Sequence, residues 1–87
     1  MILAKVIGHV VATQKCQELS GSNLLMITAL GDDLNPLKDK TFVAVDSVGA
    51  GINDLVLAEE YFALNKDKYK AMSVVAIVEK VYRDGRE

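Results

Sequence analysis

Two aspartates are the first candidates for chemistry, because they flank the most distinctive turn of the sequence. Asp46 stands directly before residues 47–53 and Asp54 stands directly after them. Two carboxylates brought together could act as a general acid and a general base. Carboxylates beside turns more commonly bind backbone N–H groups, and no nucleophile stands beside a histidine in a recognisable pattern. We therefore expect both aspartates to stabilise the turn rather than to catalyse a reaction.

The other reactive side chains are His9 and Cys16, the single histidine and the single cysteine of the chain. One thiol with one histidine cannot fill a structural zinc site, and one thiol cannot form an intrachain disulfide. We expect a packing or surface role for His9 and an unreactive thiol at Cys16. The sequence accordingly predicts no catalytic residue, no cofactor and no metal site. The lone cysteine is typical of a reducing, cytosolic compartment.

The segment between the aspartates is rich in glycine, which is used where the backbone takes a positive φ or approaches other atoms closely. Its central residues are Val48, Gly49, Ala50, Gly51, Ile52 and Asn53. A dinucleotide-binding loop would need a third glycine and a following helix, whereas a predicted strand follows here. A sharp reversal of the chain is the better interpretation.

Five apolar segments are predicted to be the strands that position this turn, because they alternate in polarity or are rich in β-branched residues. They cover residues 1–13, 23–30, 41–46, 54–58 and 71–82. In the first segment, the even-numbered residues from Ile2 to Ala12 form a wholly apolar face, whereas Lys5 and His9 interrupt the other face.

Polar connections separate these segments. Residues 14–22 and 31–36 are a predicted loop and turn, and residues 38–40 continue the second as an exposed loop. A short helix is predicted over residues 59–70, because acids precede lysines in the order that suits the helix dipole. Five strands with one short helix before the last indicate a mainly all-β fold, a small five-stranded OB-like β-barrel.

Length and composition limit the number of domains and the cellular locations that fit such a barrel. The chain has 87 residues, of which 51% are hydrophobic, and a formal net charge of −2. This length fits one domain over residues 1–87, whose core is so small that partner subunits are an expected source of stability. No segment approaches the ~20 consecutive apolar residues of a membrane-spanning helix. The N-terminus also lacks the pattern of a signal peptide, so we expect neither membrane insertion nor export.

Binding of single-stranded nucleic acid is the main alternative function, because OB-like barrels are often used in that way. Such binding needs stacking aromatic residues and a cationic groove. Phe42 is the only aromatic residue in the first four predicted strands, and the lysines alternate with acids. A small enzyme or a metal-binding carrier is a third, weaker hypothesis. We favour neither of these functions.

The order of the motifs is itself distinctive. The chain begins with MILAKVIGHVVATQK, continues with LSG at residues 19–21, and later contains FVAVDSVGAG at residues 42–51 and DLVL at 54–57. This order resembles the vertex-protein family of bacterial microcompartments, which includes the EutN and CcmL types. The resemblance runs from residue 1 to about residue 58 and continues loosely through the last strand. Asn53 stands where the family has a glycine, and residues 59–63 are bulkier and more acidic than the family pattern.

The resemblance implies a structural shell subunit rather than an enzyme. In that family a small barrel forms a ring, usually of five copies, that caps a vertex of a polyhedral shell in the bacterial cytoplasm. The sequence does not distinguish a ring of five copies from a ring of six, because a small change in the angle between neighbouring copies converts one ring into the other. The implied partners are further copies of the chain and hexameric shell proteins, without nucleic acid or membrane. Under this interpretation the turn formed by Val48–Asn53 lies near the ring axis.

Overall fold

A closed barrel of five strands forms the part of the chain that the computed structural model describes, namely residues 1–12, 23–60 and 72–82. The strands are β1 (Ile2–Val10), β2 (Asn23–Leu30), β3 (Pro36–Asp46), β4 (Leu55–Glu60) and β5 (Met72–Val78). Their order around the barrel is β1-β2-β3-β5-β4. The predicted all-β, five-stranded barrel is confirmed. The described residues contain no helix that is long and apolar enough to cross a membrane.

The strand pairing is antiparallel except at one seam. β1 pairs with β2 and β4, β2 pairs with β3, and β4 pairs with β5, all antiparallel. β3 and β5 run parallel, and only three residue pairs join them, Ala44–Asp46 with Met72–Val74. A parallel pair needs a long connection between its strands, and β4 lies within that connection. We call these three pairs the parallel seam.

The barrel interior is filled by small and β-branched side chains from all five strands. Ile27, Val6, Val56 and Val74 are the largest side chains that are fully buried. Smaller or slightly less buried residues complete the same cluster, namely Ala4, Leu25, Ala44 and Ala58. Side chains alternate between the two faces of each strand, which places these residues on the face that lines the barrel interior. Because the barrel is narrow, mainly small and β-branched side chains are enough to fill it.

A bulge in β1 shifts its register with β2. Val6 lies opposite the buried Ile27, but the next paired residue, Gly8, lies opposite Met26, whose side chain is exposed. His9 then lies opposite Leu25, which belongs to the core. Beyond the bulge the even-numbered residues 8–12 are still partly buried and the odd-numbered residues 7–11 are exposed. The bulge therefore shifts the register with β2, but the predicted apolar face remains the more buried one.

β3 begins earlier than the sequence predicts. The predicted turn after β2 is confirmed, with the Asn35 amide bonded to Asp33 Oδ1 at 3.1 Å and the Leu34 amide bonded to the Gly31 carbonyl at 2.9 Å. The strand starts at Pro36, so the loop predicted over residues 38–40 is wrong. A register shift between Thr28 and Leu30 accommodates the additional residues, which local sequence patterns do not reveal.

β4 extends through Glu60, so the first two residues of the predicted helix are strand instead. Glu59 lies opposite Ser73 of β5, and Glu60 lies opposite Met72. Pairing with β5 supplies long-range backbone partners, which outweigh the weak local helix signal. The remainder of that helix, the loop with Cys16 and the polar tail at residues 83–87 fall outside the described residues.

The buried position of Ile27 leads to a test of the core. We expect Ile27→Ala to lower the free energy of unfolding by about 2–5 kcal/mol, because it leaves a cavity between tightly packed strands. Lys38→Ala, at an exposed position of β3, should change it by less than about 0.5 kcal/mol. Urea unfolding at one fixed chain concentration measures both. Equal effects of the two substitutions would contradict the assigned core.

Candidate functional site at the glycine turn

The turn at residues 47–54 connects the end of β3 to the start of β4 and is tied to β1 on the way. The Asn53 amide donates to the Val6 carbonyl at 2.8 Å, and the Val6 amide donates to the Asp54 carbonyl at 3.0 Å. These two bonds continue the pairing of β1 beyond the last residue of its ladder with β4, Lys5 opposite Leu55. The turn therefore forms part of the barrel wall.

Asp46 fixes the first half of the turn through one carboxylate oxygen. Its Oδ1 atom accepts hydrogen bonds from the amides of Val48 at 3.1 Å, Gly49 at 3.0 Å and Ala50 at 3.3 Å. A carboxylate that accepts several backbone N–H groups forms charge-assisted hydrogen bonds, which are stronger than neutral ones. The expectation that this aspartate stabilises the turn is confirmed.

Asp54 fixes the second half of the turn. Its Oδ2 atom accepts a hydrogen bond from the Gly51 amide at 2.8 Å, while its own amide donates to the Gly51 carbonyl at 3.0 Å. Each aspartate thus binds backbone groups of its own side of the turn, as the sequence predicts.

The two glycines of the turn meet different requirements. Gly49 has a φ of 81°, a region that residues with a side chain seldom adopt. Gly51 has no positive φ, and a Cβ atom built on it would have only Asp54 Oδ2 within 4 Å, at an ordinary 3.8 Å. Asn53 has a φ of 73°, which asparagine tolerates better than most residues. The backbone therefore requires glycine at 49, whereas nothing in the described residues requires it at 51.

The side chains of the turn divide between core and surface. Ala50 is partly buried and packs against the core cluster. Val48 and Ile52 are exposed apolar side chains. The two aspartates hold the backbone of the turn, so these residues project from a backbone of defined shape.

A groove of about 410 Å³ opens between the turn and the ends of the first three strands. We call it the mouth groove. The turn contributes Ala50, Gly51 and Ile52, and the strand ends and the two residues after β1 contribute His9, Val10, Val11, Ala12, Asn23, Leu24, Leu25 and Asp46. Apolar side chains are the more numerous among these residues, but polar and apolar atoms line the groove in similar proportion.

His9, near the end of β1, lines the mouth groove. Its side chain is exposed, as the expected surface role requires, but it lies in the same groove as Asp46. The sequence does not predict that His9 and Asp46 line the same groove, since the two residues are far apart along the chain. Gly8, beside the bulge, is the one local signal that points to an irregularity in the strand.

The mouth groove holds little that could react. Among residues 1–12, 23–60 and 72–82, no group of three or more His, Cys, Asp or Glu side chains could hold a metal ion. Asp46 Oδ1 is already bonded to three amides. What the geometry provides is a turn held by hydrogen bonds, with the exposed apolar side chains of Val48 and Ile52 on it, an arrangement suited to contact with another macromolecule.

Comparison with known proteins identifies the relatives of this chain. The family described as "Ethanolamine utilisation protein EutN/carboxysome" matches residues 1–79. The microcompartment shell vertex protein GrpN of Rhodospirillum rubrum is 47% identical over 57 residues, which cover 66% of this chain and 63% of GrpN. That alignment spans slightly less than two thirds of the relative. The carboxysome shell vertex protein CcmL of Thermosynechococcus vestitus is 39% identical, with 97% of this chain and 89% of CcmL covered.

A solved structure extends the match to GrpN over nearly its whole chain. The pentameric microcompartment shell protein GrpN from Rhodospirillum rubrum superposes with a TM-score of 0.81 at 38% identity. The superposition covers 94% of this chain and 98% of GrpN. The barrel is therefore shared with a protein described as pentameric.

The three hydrogen bonds to Asp46 lead to a test of the turn. We expect Asp46→Ala to lower the free energy of unfolding by about 1–3 kcal/mol, because three amides lose a charged acceptor. Asp46→Asn should cost less, since the amide oxygen can still accept hydrogen bonds. Urea unfolding gives the energies, and hydrogen exchange should show faster exchange at the amides of residues 48–50. An Asp46→Ala protein as stable as the parent would contradict the assigned role.

Proposed function

The chain belongs to the family of EutN and the carboxysome vertex proteins, and we propose that it is a structural shell subunit, five copies of which form a ring at a vertex of a bacterial microcompartment or carboxysome-like shell. The observation that carries this proposal is the family match over residues 1–79 together with the barrel shared with pentameric GrpN. The ring would lie in the shell, within the bacterial cytoplasm. Residues 1–87 would form a single vertex domain without enzymatic activity.

Five-fold symmetry has a geometric reason in such a shell. A flat layer of hexagons cannot close on itself, and pentagons at the corners introduce the required curvature. A five-fold ring uses a head-to-tail contact, in which one surface of each copy meets a different surface of the next. We propose hexameric shell proteins as the partners around the outside of the ring.

The surface of the barrel supports self-association. Exposed apolar side chains occur on the turn and on several strands, although the chain is small and about half of its residues are hydrophobic. In a chain of this size the monomer core is modest, and burial of these side chains between copies adds apolar contact area. Partner copies thus supply stability that the core alone does not.

The conformation of Gly51 favours placing the turn at a close contact between copies. The described fold leaves ordinary space for a Cβ atom at this position. A glycine that the chain itself does not need is explained if another backbone approaches it closely. We propose that the turn of residues Val48, Gly49, Ala50, Gly51, Ile52 and Asn53 lies near the ring axis.

Nucleic-acid binding is disfavoured by the placement of the described aromatic residues. Phe42 is half-buried and packs against the core cluster, so its ring is unavailable as a stacking platform. Tyr82 is well exposed but follows the last strand. With a formal net charge of −2, the chain also lacks the cationic balance on which phosphate binding depends. We propose that the protein does not bind nucleic acid.

The ring can be tested by its mass. We expect native mass spectrometry to give five times the chain mass of 9.5 kDa. The same species should persist at high ionic strength, because salt screens ionic contacts but not the apolar contacts proposed here. A stable monomer would contradict the proposal, and a six-fold mass would contradict the number of copies while keeping the ring.

The turn can be tested by a matched pair of glycine substitutions. We expect Gly51→Leu to keep the β-sheet circular dichroism spectrum but to disrupt the ring, because the added side chain enters the contact between copies. Gly49→Ala should keep the ring and lower the free energy of unfolding by about 1–2 kcal/mol, because its φ is positive.

Native mass spectrometry and urea unfolding separate these two outcomes. Ala50→Trp is a poorer test, since Ala50 packs against the core and a large side chain there disturbs the monomer as well. Intact rings of Gly51→Leu would place the turn away from the axis.

A further inference from the structure

The barrel wall has a gap where β5 continues past the end of β3. The parallel seam ends with Asp46 opposite Val74, and the Ser47 amide donates to the Val74 carbonyl at 3.3 Å. Beyond this point, residues 75–78 of β5 pair with β4 alone among the five described strands. One edge of this half of β5 is therefore not flanked by a strand.

Ile77 shows that the gap leaves part of the core side uncovered. A register shift in the β4–β5 ladder makes Val75 an extra residue, so that Ile77 lies opposite Val56. Val56 is fully buried, and opposite residues share a face, yet Ile77 is 48% exposed. A side chain in register with the core is thus half open to solvent.

Two more exposed apolar residues lie next to this part of β5 along the chain or the ladder. Val75 is the extra residue itself, and Val48 follows Ser47, whose amide is bonded to the neighbouring Val74. Both are exposed. We call Val48, Val75 and Ile77 the β5 patch.

A second apolar patch lies on the outer surface of the first three strands. Met26 lies opposite Val43 on β3 and opposite Gly8 on β1, and a Cβ atom at Gly8 would be 3.9 Å from the Met26 Cβ atom. Ile7, in the bulge, precedes Gly8. The side chains of Ile7, Met26 and Val43 are all exposed, and we call them the β2 patch.

The two patches are formed by different residues and are centred on strands that do not pair with each other, although Val43 of the β2 patch lies on β3, which joins β5 at the parallel seam. In the order β1-β2-β3-β5-β4, β3 separates β2 from β5 in one direction, and β1 and β4 separate them in the other. A head-to-tail ring requires two different surfaces of this kind on every copy. Barrel closure pairs most strand edges, so the contact must be made mainly by side chains.

We propose that the β2 patch of one copy covers the β5 patch of the next copy in the ring. This inference rests on the proposed ring of five and specifies which surfaces meet in it. The second copy would cover the gap in the barrel wall of the first copy. It would thereby bury the Ile77 side chain of the first copy, which lies opposite the core residue Val56. The apolar centre of each contact would be formed by three side chains from each copy, with polar residues around it.

Cysteine cross-linking tests this pairing directly. All variants carry Cys16→Ser, so that the introduced thiols alone react with a short bismaleimide. We expect the double variant Met26→Cys/Val75→Cys to give a ladder of covalent species up to five chains. Co-expressed single variants, one Met26→Cys and one Val75→Cys, should give covalent dimers and nothing larger. Each single variant alone should give no dimer, since in a head-to-tail contact each patch meets the other one.

The remaining outcomes separate the inference from the function on which it rests. Native mass spectrometry of the Cys16→Ser parent comes first, and a monomeric parent overturns both the ring and this contact. A pentameric parent whose double variant gives no ladder overturns the contact alone. Covalent dimers from Met26→Cys alone would show that the β2 patch meets itself, which also overturns it. As a control, Lys38→Cys, on the exposed early part of β3, should not cross-link with Val75→Cys.

Discussion

The barrel depends on three residue pairs of β3 and β5, the only parallel contact among the described strands. The other four ladders are antiparallel and by themselves form an open sheet, with β3 at one edge and β5 at the other. The parallel seam turns that sheet into a barrel and thereby creates an interior. It also fixes where β3 stops and where β5 continues with β4 as its only partner among the described strands. Both the core and the exposed gap follow from its short length.

The seam and the glycine turn act as one unit. Asp46 is the last residue of the seam, and its carboxylate binds the amides of the turn. The next residue, Ser47, bonds β5 through its amide and also places its hydroxyl 3.2 Å from that of Ser73. The turn is thus anchored to the closing contact of the barrel. A surface held in this way is pre-organised, so little conformational entropy is lost when it meets another molecule.

Local patterns in the sequence were sufficient for the features that depend on neighbouring residues. The five strands, the bonding role of Asp46 and the tolerance of Asn53 for positive φ follow from alternation, turn chemistry and side-chain size. The bulge at Ile7, the early start of β3 and the strand conformation of Glu59 depend on partner strands distant in the chain, which local patterns do not contain. The groove between His9 and the turn was missed for the same reason. The role as a shell subunit was predicted from the order of motifs along the chain. The turn itself contains no group of side chains from which a reaction could be inferred.

The ladder between β1 and β4 joins residues as far apart as Ile2 and Ala58, and this separation has a kinetic consequence. Contacts between distant residues form late, because the intervening chain loses entropy before any contact compensates for it. The β2–β3 hairpin joins residues close together in the chain, so it can form early. The β1–β4 and β3–β5 ladders join more distant residues and form later. During that interval the nascent sheet has unpaired edges rich in valine and isoleucine, a composition that favours aggregation. Slow closure of the barrel would therefore divert newly made chain from an assembling ring into aggregates.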